Sequence, residues 1–194
     1  MKHKFLRSKT AAFLMIVAIL VAAVVIYQVA SNKSEEEVET NTILLRTSMG
    51  NITIELYEDT PITTANFKKL VKQDKYDGTI FHRVVANFVI QGGDPTGTGY
   101  GDPSIPTIKD ELPNRHSNER GAVAMAKTDQ PNSASSQFFI NLVDNSATLD
   151  ANYVVFGHVI TGMDAVDAIG SVPTNKATER PLQDVLLIKA EFVH

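Results

Sequence analysis

The sequence predicts a mainly β domain, in which a closed antiparallel barrel is capped by two helices. About eight short stretches alternate apolar and polar residues, and turn-forming residues separate them. Two further segments, residues 60–71 and 163–169, place apolar residues at helical spacing. The chain contains no cysteine, so the domain depends on a packed core rather than on disulfides. Alternation alone is equally compatible with a β-sandwich.

The first predicted elements are a hairpin and a helix. Residues 42–47 and 52–56 alternate, and the turn between them contains Gly50, which can adopt a positive φ. Thr60 is a candidate N-cap for the helix. Pro61 then fits the first helical position, where its missing N–H leaves no hydrogen bond unmade.

The other predicted strands are short and follow at irregular intervals. A second helix lies between the last two of them, introduced by Gly162 and ended near Gly170. These strands are predicted at residues 79–84, 88–92, 122–126, 138–141, 154–161 and 185–192.

A hydrophobic segment precedes this domain. Residues 11–30 are almost wholly apolar, and about twenty helical residues span the roughly 30 Å hydrocarbon layer of a membrane. Cations precede the segment and glutamates follow it, which by the positive-inside tendency predicts a single-pass anchor in the cell membrane with an extracytoplasmic domain. Signal cleavage at residues 29–31, giving a secreted protein, is the alternative. The predicted organisation is a basic N-terminus with a transmembrane anchor at 1–31, a polar acidic linker at 32–41 and a globular domain at 42–194.

The composition argues against several classes of function. The net charge is −4, which offers no basic footprint for nucleic acid. Without cysteine there is no thiol nucleophile and no thiolate metal site. The five histidines show no ligand-like spacing, so we expect no metal site.

Two stretches place polar side chains among apolar ones on predicted strands. The first runs from FHRVV at residues 81–85 to FVIQGGD at 88–94, and the second is SQFFIN at 136–141. These residues and their order resemble the cyclophilin family of peptidyl-prolyl cis-trans isomerases, over roughly residues 42–193. The resemblance favours the eight-stranded barrel, with a helix at each end, over the sandwich. It implies isomerisation of X-Pro bonds in proline-containing polypeptides, which for an exported domain are exported proteins.

The supposed reaction decides which residue types are needed. A peptide bond resists rotation by about 18–20 kcal/mol because the nitrogen lone pair is shared with the carbonyl. No bond is broken, so no nucleophile, metal or cofactor is required, only a donor that favours the twisted amide. Arg83, with its permanently charged fork of N–H groups, is the predicted donor. The resemblance gives Gln91 the task of orienting it and places His82 in the lining of the catalytic site.

The resemblance also implies a proline pocket and a groove for extended peptide. Ala126 and Lys127 are expected to offer main-chain groups, with the Lys127 side chain solvated. Many eukaryotic members carry Trp and His where this chain has Thr148 and Tyr153, which puts tight cyclosporin binding in doubt. The predicted substrate-binding residues are Phe88, Val89, Gly97, Ala126, Lys127, Gln137, Phe139, Leu149 and Tyr153.

The alternative function is that of a binding module. Such a chaperone or scaffold would hold proline peptides, and any turnover would be incidental. A purely structural surface protein would leave Arg83 in its apolar surroundings unexplained.

Overall fold

The computed structural model describes residues 20–24 and 40–193. Residues 20–24 are helical and exposed, while the rest of the predicted membrane segment and most of the predicted linker lie outside the described residues. Within the described ranges, no helix combines the length and apolar character needed to cross a membrane. Thr40–His194 form one compact unit.

Nine strands in one antiparallel sheet dominate residues 40–193, and three helices accompany them. The sheet order is β3-β9-β1-β2-β8-β6-β7-β5-β4, a single sheet rather than the two of a sandwich. The helices are α1 (Pro61–Lys72), α2 (Ser146–Leu149) and α3 (Met163–Gly170). The strands are β1 (Thr42–Thr47), β2 (Gly50–Leu56), β3 (Thr79–Ile80), β4 (Arg83–Val85), β5 (Val89–Gly92), β6 (Ala122–Met125), β7 (Phe138–Asn141), β8 (Val155–Thr161) and β9 (Leu186–Phe192).

The predicted closed barrel of eight strands is wrong in its count and in its closure. The strand predicted at 79–84 is interrupted at Phe81 and His82, which divides it into β3 and β4. The Phe81 N–H donates to the Val185 carbonyl at 3.0 Å, and the Val84 N–H donates to the Glu179 carbonyl at 2.8 Å. β3 pairs with β9 and β4 pairs with β5, so β3 and β4 become the two ends of an open, curled sheet.

Strand alternation sends side chains to two separate apolar clusters. Phe138 of β7 belongs to the large cluster, which also contains the buried apolar side chains of α1 and α3. Its neighbour Phe139 belongs to a small cluster on the opposite face of the sheet. Ile90 and Val89 of β5 divide in the same way. The large cluster therefore holds the fold together, and the small one is left to form the floor of a surface site.

The N-terminus of α1 is capped by a residue distant in sequence. Pro61 begins the helix as predicted, but Thr60 makes no side-chain cap, so that prediction is wrong. The Thr60 hydroxyl bonds instead to the Tyr57 carbonyl at 3.4 Å and pairs with the Thr64 hydroxyl at 3.2 Å. The Glu111 carboxylate accepts hydrogen bonds from the backbone N–H of residues 62 and 63, at 2.9 and 2.8 Å.

Removing this cap should destabilise the domain. We expect Glu111→Ala to lower the free energy of unfolding by about 1 kcal/mol, since it leaves two helix N–H groups unpaired and removes a negative charge from the positive helix end. Urea denaturation measures the change. Glu119→Ala, at an exposed acid of the same segment, is the control. Equal stability of the two variants would contradict this role for Glu111.

Candidate active site

A cavity of about 340 Å³ opens over the small apolar cluster. Strands β4, β5 and β7 supply its central residues, because Arg83 pairs with Gln91 across β4 and β5, and Gln91 pairs with Phe139 across β5 and β7. All of its lining residues belong to the predicted site. They are Arg83, Phe88, Val89, Gln91, Ala126, Lys127, Phe139, Leu149 and Tyr153.

A chain of side-chain hydrogen bonds runs across the strands beside this cavity. Arg83 Nη1 donates to Gln91 Oε1 at 3.4 Å, and Gln91 Nε2 donates to Gln137 Oε1 at 2.9 Å. Gln137 Nε2 in turn donates to the Gly99 carbonyl at 3.0 Å. The chain fixes both amides, so the cavity presents a guanidinium beside an oriented glutamine.

Arg83 is held most closely by a residue that the sequence did not indicate. Its Nε donates to Glu179 Oε2 at 2.6 Å. The Arg83 side chain is 35% exposed and that of Glu179 is 43% exposed. The guanidinium therefore lines the cavity while a partly exposed carboxylate holds its Nε.

The apolar wall is built from β7 and the short helix α2. Phe139 packs edge to face against Tyr153, with 5.6 Å between the ring centroids. Leu149, at the end of α2, is also buried. Asn114 holds this wall in place, because its Nδ2 donates to the carbonyls of Asp150 and Tyr153, at 3.0 and 2.6 Å.

A cluster of asparagine side chains, which the sequence did not indicate, holds α2 in place. Asn145 Nδ2 donates to Asn141 Oδ1 at 2.8 Å and to the Phe88 carbonyl at 3.0 Å. Asn141 Nδ2 donates to Asn118 Oδ1 at 3.2 Å. Asn118 donates to the Asp150 carboxylate, from its N–H at 2.7 Å and from Nδ2 at 2.9 Å. These bonds link Phe88 to the helix that carries Leu149.

A second cavity of about 210 Å³ adjoins the first and shares Gln91, Ala126 and Lys127 with it. Its remaining lining comes from two loops and Gln137. Those residues are Gly99, Tyr100, Gly101, Thr128, Ser133, Ser135 and Gln137. The two cavities together form a groove with Gln91 at the junction.

Lys127 differs from its prediction in one respect. Its side chain is only 9% exposed and its Nζ lies 3.2 Å from Asp110 Oδ2, so the expectation of a solvated side chain is wrong. Asp110 is itself held by Asn132, through hydrogen bonds of 2.8 and 2.9 Å. The lysine packs along the groove because its charge is compensated there.

His82 and Gly97 lie beside the groove rather than in the lining of either cavity. His82 is 7% exposed, under the loop that contains Gly99. Burial lowers the pKa of His82, and the field of Arg180 adds to this while Asp94 opposes it. Burial therefore favours the neutral form of the imidazole. The Gly97 carbonyl accepts a hydrogen bond from Arg180 Nη1 at 2.8 Å. Gly97 therefore helps to fix the loop that contains Gly99 and does not line either cavity.

The loop at the second cavity is organised around the buried carboxylate of Asp94. Asp94 accepts hydrogen bonds from the N–H and hydroxyl of Thr96, at 2.9 and 2.8 Å, and from the N–H groups of Gly99 and Gly101, at 2.7 and 3.1 Å. Burial alone would raise the pKa of Asp94, but the bonds from Thr96, Gly101 and Gly99 outweigh it and lower the pKa below its ordinary value.

Asp94→Asn should destabilise the domain in a pH-dependent way. Because the folded pKa lies below the ordinary value of about 3.9, the ionised group stabilises the fold above that pH and its contribution is lost as the pH falls through the folded pKa. We expect a loss of about 1–3 kcal/mol near pH 7, which shrinks toward about pH 3. Urea unfolding at both pH values measures it, with the exposed Asp129→Asn as the control. A loss of the same size at both pH values would count against this role of the charge.

Comparison with known proteins agrees with this geometry. Residues 42–192 match the family model of cyclophilin type peptidyl-prolyl cis-trans isomerase/CLD. The chain is 49% identical over 136 residues to a peptidyl-prolyl cis-trans isomerase of Acinetobacter baylyi, covering 68% of this chain and 72% of that protein. It is 45% identical over 150 residues to the isomerase ppi1 of Schizosaccharomyces pombe, covering 75% of this chain and 95% of that protein.

Solved structures show the same fold. The crystal structure of a Cryptosporidium parvum cyclophilin type peptidyl-prolyl cis-trans isomerase has a TM-score of 0.74 at 29% identity, covering 79% of this chain and 98% of that one. The same parasite protein in the presence of the dipeptide Ala-Pro also has a TM-score of 0.74, at 30% identity, covering 79% of this chain and 99% of that one. This chain therefore belongs to the cyclophilin family and is a peptidyl-prolyl cis-trans isomerase.

Proposed function

We propose that this isomerase accelerates X-Pro rotation in exported polypeptides outside the cytoplasmic membrane, with Arg83 as the stabilising donor. The observation that carries the catalytic part is the meeting of Arg83, Gln91 and Phe139 at one cavity. The hydrophobic segment at residues 11–30 and its flanking charges support the location.

Arg83 is suited to the difficult part of the reaction. X-Pro bonds exchange over tens to hundreds of seconds, and a turnover of about 10³ per second corresponds to a barrier near 13 kcal/mol, so roughly 6–7 kcal/mol must be removed. In the twisted amide the lone pair is localised on the prolyl nitrogen, which then accepts a hydrogen bond that the planar amide cannot. A terminal Arg83 nitrogen directed at this position stabilises the twisted form more than either planar isomer.

The apolar wall holds the proline ring while the preceding carbonyl swings. Phe139 and Leu149 are 4% and 7% exposed, so their positions are fixed by packing. Phe88 is half-buried against the same small cluster. A ring seated against these three side chains leaves the preceding residue free to rotate.

The groove recognises peptide backbone more than side chains. The Ala126 N–H donates to the Gln137 carbonyl at 2.9 Å, so we assign the carbonyl of Ala126 to the bound peptide. The oriented amide of Gln91 at the junction offers a further polar contact. Main-chain recognition of this kind admits many sequences around the proline, as an assistant of general protein folding requires.

Cell fractionation tests the location. In a bacterial host, we expect full-length protein in the membrane fraction and cleavage of its folded domain by protease added outside the cytoplasmic membrane. Isomerase activity, measured by proline-limited refolding, should follow the same fraction. A secreted product lacking about the first thirty residues would indicate signal cleavage instead of anchoring. Recovery of active full-length protein from the cytosol would contradict the proposal.

A further inference from the structure

We infer that Glu179 is a positioning residue for catalysis, which holds Arg83 by its Nε so that the terminal nitrogens are directed at the prolyl nitrogen. The inference rests on the proposed role of Arg83. Glu179 belongs to the 173–181 loop and follows Arg83 by 96 positions in the chain.

The distances indicate which partner holds the guanidinium. Glu179 Oε2 lies 2.6 Å from Arg83 Nε, a charge-assisted contact of short length. Gln91 Oε1 lies 3.4 Å from Nη1, at the long limit for a hydrogen bond. Glu179 therefore sets the position of the guanidinium, and Gln91 supports it weakly in the absence of substrate.

The backbone of Glu179 is tied to the strand that carries Arg83. Its carbonyl accepts from the Val84 N–H at 2.8 Å, and its own N–H donates to the Asn175 carbonyl at 2.8 Å. A bridge between Thr174 and Pro181 closes the loop. Carboxylate and guanidinium are thus carried by backbone segments bonded directly to each other, which keeps the two side chains within reach of each other.

The backbone of Glu179 has a conformation that glycine adopts more readily than residues with a side chain. Its φ is 58°, in the left-handed region that glycine adopts at least cost. A glycine here would fit the backbone better but would leave Nε without its partner. A glutamate at this φ is consistent with a role for its carboxylate rather than for its backbone.

Anchoring matters because Arg83 is a long and partly exposed side chain. At 35% exposure it has freedom to sample several rotamers, and its contact with Glu179 restricts them. Fixing Nε selects among those rotamers before substrate arrives. Fixing Nε in this way should therefore speed the rotation step without changing the binding of the proline ring.

The test compares Glu179→Gln, Glu179→Gly and Arg83→Ala in the full-length protein. Exchange between the cis and trans forms of an Ala-Pro peptide, followed by NMR, gives the rates. We expect both Glu179 variants to lower kcat by about 5- to 20-fold and to change the KM by less than about twofold. The Arg83 Nε–H resonance should shift in both, because the carboxylate acceptor is gone. Glu179→Gly should unfold at the same temperature as the parent protein or at a higher one, since glycine relieves the left-handed φ.

Asp74→Gly is the matched control. Asp74 is an exposed acid at a φ of 52° and is not among the residues that line either cavity. We expect a comparable effect on thermal stability and unchanged kcat. A similar loss of kcat in this control would contradict the inference.

The outcomes distinguish a failure of the role of Glu179 from a failure of the role of Arg83. Parental kcat or an unshifted Nε–H resonance in Glu179→Gln, together with a large loss in Arg83→Ala, would overturn the inference and leave the role of Arg83 intact. Parental activity in Arg83→Ala would overturn both.

Discussion

Arg83→Ala should lower kcat/KM for an X-Pro peptide by about 10²–10³-fold, the loss typical of removing one preorganised donor. The guanidinium lines the cavity beside Gln91 and Phe139, and in the proposed mechanism it faces the prolyl nitrogen. Its ion pair with Glu179 is partly exposed, so the free energy of unfolding should change by less than about 1 kcal/mol. A coupled peptide assay and urea denaturation on the same preparations measure the two quantities.

Arg46→Ala is the matched control for this change. Arg46 also pairs with a glutamate, Glu191, at 2.6 Å, but it lies outside the residues that line the site. Its removal should leave kcat/KM unchanged. An Arg83→Ala protein as active as the Arg46→Ala protein would remove the basis of the proposed mechanism and favour the binding-module function.

Phe67→Ala should lower the free energy of unfolding by about 3–5 kcal/mol, because it opens a cavity in the large cluster. The Phe67 ring is fully buried, with ring centroids of Tyr76, Phe156 and Phe138 at 4.8, 5.1 and 5.5 Å. At low temperature the remaining folded protein should keep its kcat, since the site lies on the other face of the sheet. Urea unfolding and the peptide assay near 4 °C measure both effects.

Phe192→Ala is the comparison for this prediction. Phe192 is only partly buried at the margin of the same cluster, so its truncation should cost clearly less. Equal losses in the two variants would show that the Phe67 ring is not central to the core.

The sequence indicated most strands because each has its own alternation. It did not indicate the break at residues 81–82, because that break depends on acceptors at Val185 and Glu179, supplied by a distant part of the chain. Helix α2 was missed for a different reason. It is four residues long and buries only Leu149, too little for a periodic pattern.

The site was predictable where its residues lie in the two motif stretches. Arg83, Gln91 and Phe139 meet in the structure because β4, β5 and β7 pair in a register that aligns them. The supporting residues follow no local pattern. Glu111 reaches α1 from 49 residues away and Glu179 reaches Arg83 from 96 residues away, so only the folded chain brings these groups together.

The crystal structure of a complex with an Ala-Pro peptide tests the central claim most directly. We predict that the proline ring lies against Phe88, Phe139 and Leu149, with a terminal Arg83 nitrogen within about 3.5 Å of the prolyl nitrogen. A peptide bound elsewhere, or bound in this cavity with Arg83 directed away from it, would contradict the account.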